Sequence, residues 1–172
     1  TFVNNGIGIG MCRLAIVEIA AGKQPATDAS DQIHIVWNGE IYNYRELRAE
    51  LETRGIHCRD SSESEVVINL YLEFGLDFIN KLNGMFAFVI WDKKEKKLTA
   101  VRDRMGVKPL YYSLYNETFY FASEQKALFT AKVPLKMDND GMEEYIFNRF
   151  VAGENTLYEN VKKVLPGHIL TL

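Results

Sequence analysis

The stretch Met85-Phe86-Ala87-Phe88-Val89-Ile90-Trp91 contains no polar residue. It is far shorter than the roughly 20 residues that cross a bilayer. It does not alternate, so it reads as a strand covered on both faces. A chain of 172 residues with 47% apolar composition has the material for that cover, and its length suits one domain.

The covering elements are visible on either side of this run. Gly6 to Val17 alternates and reads as strand, with Gly6, Gly8 and Gly10 on one face. Residues 20–31 are small and polar and contain Pro25, so they read as loop. Gln32 to Trp37 alternates again, with Ile33, Ile35 and Trp37 on one side. Helical spacing begins near Asn43: Tyr44, Leu47 and Leu51 share a face, and Gly55 stops the helix. Ser62 and Glu65 form an S-x-x-E start for a second helix, striped by Val66, Val67, Leu70, Tyr71 and Phe74 and ended by Gly75. A short helix through Phe78, Ile79 and Leu82 precedes the apolar strand. After it come a charged turn at Lys93 to Lys97, a returning strand at Leu98 to Val101, and a charged corner from Arg102 to Pro109. Both charged segments read as features of the fold. Strands at Leu110 to Tyr115 and Phe119 to Ser123 meet at Asn116-Glu117. Helices are expected at Gln125 to Ala131 and after Asp140, and a last strand after Gly167. Two sheets packed face to face with helices outside would bury the apolar strand and both amphipathic helices.

Charge and cysteine content narrow the function classes. A formal charge of −3 removes the usual electrostatic support for nucleic-acid binding. No membrane span or signal pattern is present, and Cys12 and Cys58 cannot build a disulfide framework or a four-ligand zinc cluster. A cytoplasmic setting is therefore expected. His34, His57 and His168 are isolated from one another, so no metal site is expected. The His57-Cys58 pair is a weak nucleophile candidate, because adjacent residues point in different directions.

Two features could carry chemistry. Asn38-Gly39 is the common signal for a two-residue hairpin, and spacing alone favours that turn. The same pair can also offer an amide side chain and a backbone N–H to an oxyanion forming on a substrate carbonyl. Arg13 sits in an apolar run, where its guanidinium needs an exposed face or a carboxylate from the protein or a ligand.

Five segments in order carry a resemblance: Arg13-Leu14-Ala15-Ile16-Val17, Asn38 to Tyr44 (NGEIYNY), Leu82 to Phe88 (LNGMFAF), Arg102 to Tyr112 (RDRMGVKPLYY) and Phe121-Ala122-Ser123-Glu124. The chain resembles the glutaminase domain of glutamine-hydrolysing asparagine synthetases, class II glutamine amidotransferases. The resemblance covers nearly all of residues 1–172 and implies an α+β fold, the four-layer αββα sandwich of N-terminal-nucleophile hydrolases. It implies hydrolysis of glutamine to glutamate and ammonia, with ammonia passed to a C-terminal synthetase domain that adenylates aspartate. That domain would use ATP and magnesium; the glutaminase domain itself implies no cofactor. Arg13 would hold the glutamine α-carboxylate, with backbone groups of Leu14 and Ile16 lining the pocket. Asn38 and Gly39 would form the oxyanion hole, and Glu40 would contact the substrate amide. With the resemblance added, the oxyanion reading of Asn38-Gly39 displaces the turn.

The sequence departs from the family pattern in three places. The family nucleophile is a cysteine at the mature N-terminus whose α-amine, with a pKa near about 8, acts as base. This sequence opens Thr1-Phe2-Val3, inside that pattern, so a glutamate-release assay on these 172 residues alone is expected to show no turnover. Thr1 is misplaced for the role, and Cys12 should face away from Arg13. Glu63 stands where the family usually has the aspartate that binds the glutamine α-amino group; it keeps the charge with one more methylene. It would either keep that role or simply favour the helix N-terminus. Met11-Cys12 replaces a usual basic pair, and nothing in the sequence explains it. Alternatives to asparagine formation are a different acceptor, such as a sugar carboxylate, or a scaffold domain without a nucleophile. Expected partners are glutamine and the synthetase domain; family members are often dimers or larger, so a homodimer is among the expected assemblies.

Overall fold

The computed structural model describes residues 1–4, 6–12 and 23–172. Arg13, Leu14 and Ile16 lie outside the described residues. The chain divides into two compact units: Thr1–Ala100 with Thr171–Leu172, and Val101–Leu170.

In the first unit, the strand expected from Gly6 onward is a hairpin where it is described. β1 (Phe2–Asn4) pairs antiparallel with β2 (Ile7–Ile9). Gly6 has φ +88°, which turns the chain rather than extending it. β3 (Ala26–Thr27) follows in the segment read as loop, and β4 (Ile33–Ile41) is longer than its alternation suggested. The helices match their sequence signals closely. α1 (Tyr44–Thr53) buries Leu47 and Leu51, and α2 (Glu63–Phe74) buries Val66, Val67, Leu70 and Tyr71. The Ser62 side chain accepts from the Glu65 backbone N–H at 3.2 Å, and Gly75 ends the helix. A 3-10 helix (Gly75–Lys81) leads into β5 (Gly84–Asp92), and β6 (Lys97–Arg102) returns beside it. The strand order is β6-β5-β4-β3.

β4 and β5 form the centre of this unit. They pair residue for residue from Ile33↔Asp92 to Ile41↔Gly84. Ile33 to Trp37 are all buried, as are Phe86 to Ile90 on β5. The apolar run is thus covered on both faces, as its composition requires. Complete burial of each Val, Ile, Leu or Phe side chain here contributes about 1.5–3 kcal/mol. Lys94 to Lys96 in the following turn are solvent-exposed, as the charge run implied.

The N-terminal hairpin rests on β4 through His34. The Phe2 ring stacks on the imidazole at 3.8 Å, and Lys93 Nζ lies 5.2 Å from the centre of the Phe2 ring. His34 is buried; its Nε2 lies 3.4 Å from Asp31 Oδ1 but forms no hydrogen bond. Burial pushes the imidazole below its ordinary value of 6.5; Asp31 opposes this and the Lys93 charge adds to it. The folded chain then binds fewer protons than the unfolded chain between the lowered value and about 6.5, so stability falls as pH drops through that window. Urea midpoints are expected to decline from about pH 6.5 downward, and His34→Gln should flatten that part of the profile.

In the second unit, β7 (Tyr111–Tyr115) and β8 (Thr118–Ala122) are joined at Asn116-Glu117, both with positive φ (48° and 59°), as a two-residue hairpin requires. β9 (Lys162–Lys163) pairs on the other side of β7. α3 (Gln125–Thr130) packs Leu128 against Val133 and Val161. α4 (Asn139–Asn148) starts at Asp138, whose carboxylate accepts from the Gly141 N–H; β10 (Ile169–Thr171), the last described strand, ends in the first unit at Thr171 and lies beside β6 in the sheet order.

Candidate functional site

Asn38 and Gly39 do not form a turn. They continue β4, opposite Ala87 and Phe86. A type I′ turn needs positive φ at both residues, whereas Asn38 has none and Gly39 has φ +143°. The partner strand comes from far along the chain, so the local Asn-Gly signal is overridden by pairing with β5.

At this point the cover over β4 opens. Trp37 and Ile41 are buried, while Asn38 and Glu40 are exposed and Gly39 is half-buried. The backbones of the two strands also come unusually close. A Cβ on Gly39 would lie 2.0 Å from the Met85 carbonyl oxygen, and one on Gly84 would lie 2.3 Å from the Glu40 carbonyl oxygen. Glycine at both positions therefore sets the path of the Asn38–Glu40 backbone. The next turn is fixed from the same side: Asn43 Nδ2 donates to the Lys81 carbonyl at 2.9 Å, Asn43 Oδ1 accepts from the Asn83 N–H at 2.9 Å, and the Tyr42 N–H donates to the Asn83 carbonyl at 2.8 Å. The NGEIYNY and LNGMF segments are thus one interlocked feature.

α2 is attached next to this opening. The Trp37 indole Nε1–H donates to Ser64 Oγ at 2.8 Å, both residues being buried. Asn38 follows Trp37 and Glu63 precedes Ser64, so the two candidate segments are joined through their neighbours. The Trp37 backbone N–H donates to Gln24 Oε1 at 2.7 Å. Glu65 does not complete a capping box. Its carboxylate accepts from Arg59 Nε (3.0 Å) and Nη2 (2.7 Å) and from Asn69 Nδ2 (3.1 Å). Burial would raise this carboxyl, but the Arg59 and Asn69 hydrogen bonds outweigh it and hold it below the ordinary glutamate value. Trp37, Ser64 and Gln24 were not singled out from sequence. The available signal was the tryptophan itself, whose N–H needs a partner when buried.

Other candidates separate from this region. The Cys58 thiol is pushed up by burial, which suppresses the thiolate a nucleophile needs. A cavity of about 230 Å³ lined by Asp138, Asn155, Thr156, Tyr158, Glu159, Val161 and Lys162 belongs to the second unit and contains none of the predicted site residues. Among the described residues, no helix is long and apolar enough to cross a membrane.

Over residues 1–172 the sequence matches the glutamine amidotransferase domain family. The chain belongs to that family. It is 40% identical over 171 residues to a glutamine-hydrolysing asparagine synthetase of Bacillus subtilis, covering 99% of this chain and 27% of the relative. A second B. subtilis asparagine synthetase is 38% identical, covering 94% and 27%. The amidase chry2 of Gibberella zeae is 36% identical, covering 97% and 24%. The chain thus spans about a quarter of the length of these relatives. Among solved structures, the allosteric regulatory enzyme of purine biosynthesis aligns with a TM-score of 0.60 at 21% identity, over 81% of this chain and 26% of that one. A glutamine phosphoribosylpyrophosphate amidotransferase from B. subtilis aligns at 0.56 and 23% identity, over 63% and 26%. These likenesses show the fold: the α+β amidotransferase fold expected from the resemblance, here with antiparallel sheets in both units.

Proposed function

We propose that this glutamine amidotransferase domain binds glutamine at the Asn38–Glu40 opening of β4 and serves glutamine hydrolysis for aspartate amidation. The observation that carries the reading is the opening at Asn38–Glu40, with Asn38 and Glu40 exposed and Gly39 half-buried, in a central strand buried from Ile33 to Trp37 and again at Ile41, its backbone fixed by glycine contacts. An exposed asparagine is ordinary in itself; its place beside a glycine-fixed backbone N–H is what suits chemistry. A preorganised pair of N–H donors does have a use there, because negative charge develops on the carboxamide oxygen when the carbonyl is attacked. In this reading Asn38 Nδ2 and the Gly39 N–H stabilise that oxygen, Glu40 contacts the leaving amide, and Glu63 binds the α-amino group. Arg13 pairs with the α-carboxylate, and Leu14 and Ile16 line the pocket. In the family's chemistry a cysteine thiolate would add to the carboxamide carbon, the C–N bond would break as the leaving nitrogen takes up a proton and departs as ammonia, and water would cleave the thioester to give glutamate and return the thiol.

The ammonia would pass to a synthetase segment of the kind the longer relatives accommodate, using ATP and magnesium there. α4 favours such a covering partner. It buries only Gly141, while Tyr145, Ile146, Phe147 and the following Phe150 are exposed, an apolar surface of the kind that marks interfaces. A homodimer and a cytoplasmic setting belong to the same reading.

Calorimetric titration with L-glutamine tests the site. Binding is expected for the unaltered chain. Arg13→Ala is expected to weaken it by about 10- to 100-fold, the usual value of a charge-assisted carboxylate contact. An unaltered chain that binds no glutamine contradicts the proposal.

A further inference from the structure

We propose that the Trp37–Ser64 hydrogen bond is a positioning link that sets the separation between the Asn38-Gly39 donors and the Glu63 carboxylate. The inference rests on the glutamine-site reading above and adds positioning residues to it. Trp37 is 9% exposed and Ser64 is 3% exposed, and their hydrogen bond measures 2.8 Å. A phenyl ring would serve packing at this place without needing a partner, whereas a buried indole N–H without an acceptor is costly. The pair therefore has one favourable arrangement, with α2 seated at a fixed place on β4.

The surroundings hold each end. On the strand side, Gln24 Oε1 takes the Trp37 backbone N–H at 2.7 Å, and Gly39 fixes the path of the chain immediately beyond Asn38. On the helix side, Ser62 caps the Glu65 N–H at 3.2 Å, and the Glu65 carboxylate is bound by Arg59 and Asn69. Those contacts hold the first turn of α2 together, and the Ser64 hydroxyl joins that turn to β4. Glu63 is one residue away along α2; Asn38 is one residue away along β4 with its side chain on the opposite face from Trp37, so on the strand side the link acts through the backbone that carries Asn38 and the Gly39 N–H. A glutamine lying between them has its α-amino group at one end and its carboxamide at the other. The length of the link thus decides whether both ends are met at once, a geometric requirement to which catalysis is steeply sensitive. The extra methylene of Glu63 relative to aspartate makes that seating more important, because the longer side chain has more rotamers to restrict.

The test compares L-glutamine with glutaramic acid, which lacks the α-amino group, by calorimetric titration of the full chain. Trp37→Phe and Ser64→Ala are each expected to weaken glutamine by about tenfold while changing glutaramic acid by less than about twofold. The double variant is expected to be no weaker than either single one, since both remove the same link. Ser64→Thr, which keeps the hydroxyl, is expected to restore glutamine affinity to within about threefold. Urea midpoints and circular dichroism establish that each variant is folded. Equal weakening of both ligands, or no weakening of either, overturns the link while leaving the glutamine reading standing. Failure of the unaltered chain to bind glutamine overturns both.

Discussion

Replacing Gly39 with alanine is expected to be among the most destabilising single substitutions at the described residues. Gly39 has φ +143°, where a side chain is strained, and its Cβ would stand 2.0 Å from the Met85 carbonyl oxygen and 2.7 Å from the Phe86 Cα. Both neighbours are backbone of the central strand and cannot rotate away. Backbone strain of this kind costs about 1–3 kcal/mol, and overpacking adds about 1–3 kcal/mol more. The combined loss should be about 2–6 kcal/mol in urea denaturation, or prevent folding. Gly84→Ala meets the Glu40 carbonyl oxygen at 2.3 Å and Ile41 Cα at 3.0 Å without an unfavourable φ, so it should be milder. A Gly84→Ala chain that stays folded should still lose glutamine binding, because the Asn38–Glu40 segment must move. A Gly39→Ala variant within about 1 kcal/mol of the parent chain would mean that the strands do not approach as described.

Asp103→Ala is expected to follow closely. Asp103 is 1% exposed. Its Oδ1 accepts the N–H groups of Met105 at 3.1 Å and Val107 at 2.9 Å, and Oδ2 accepts that of Lys108 at 3.0 Å. The Asp103 carbonyl accepts from Gly106 at 2.9 Å and Gly167 at 2.8 Å. Beside it the Arg102 guanidinium donates to the carbonyls of Lys108 (2.8 Å), Val164 (2.7 Å) and Gly106 (2.7 Å). Alanine removes one acceptor group and leaves three backbone donors unsatisfied. Each costs about 1–3 kcal/mol when water cannot reach it. Met105 and Val107 are exposed, so water recovers part of this, and a total of about 3–5 kcal/mol is expected in urea denaturation. Asp103→Asn keeps one oxygen and should lose about half as much. A change below about 1 kcal/mol for Asp103→Ala would show that the corner is held by other contacts.

The periodic parts of the chain were legible because local rules and tertiary structure agree there. The α2 stripe, the Ser62 cap, the Gly75 stop and the doubly covered strand all follow from spacing. Asn38-Gly39 shows where local rules end: the dipeptide is a strong turn signal, but nine pairings with β5 decide its conformation. Glu65 is a second such case. The S-x-x-E pattern implies a reciprocal cap, yet the carboxylate gains more from Arg59 and Asn69. The Arg102–Pro109 corner reads as fold from sequence and is fold, but the burial of Asp103 is invisible among its charged neighbours. Ser64 and Gln24 carry no pattern at all, because each matters only through a residue distant in sequence. Arg13, Leu14 and Ile16 rest on the resemblance alone.

The central claim is that the opening on β4 seats glutamine between the Asn38-Gly39 donors and the start of α2. The most direct test is to titrate the isotope-labelled chain with L-glutamine and follow its amide resonances. The account predicts that the Gly39 backbone and Asn38 side-chain amides shift together with those of Glu63 and Ser64, at one saturating concentration. Saturation that leaves those four groups unmoved while shifting the Thr156–Lys162 region around the second unit's cavity would contradict it.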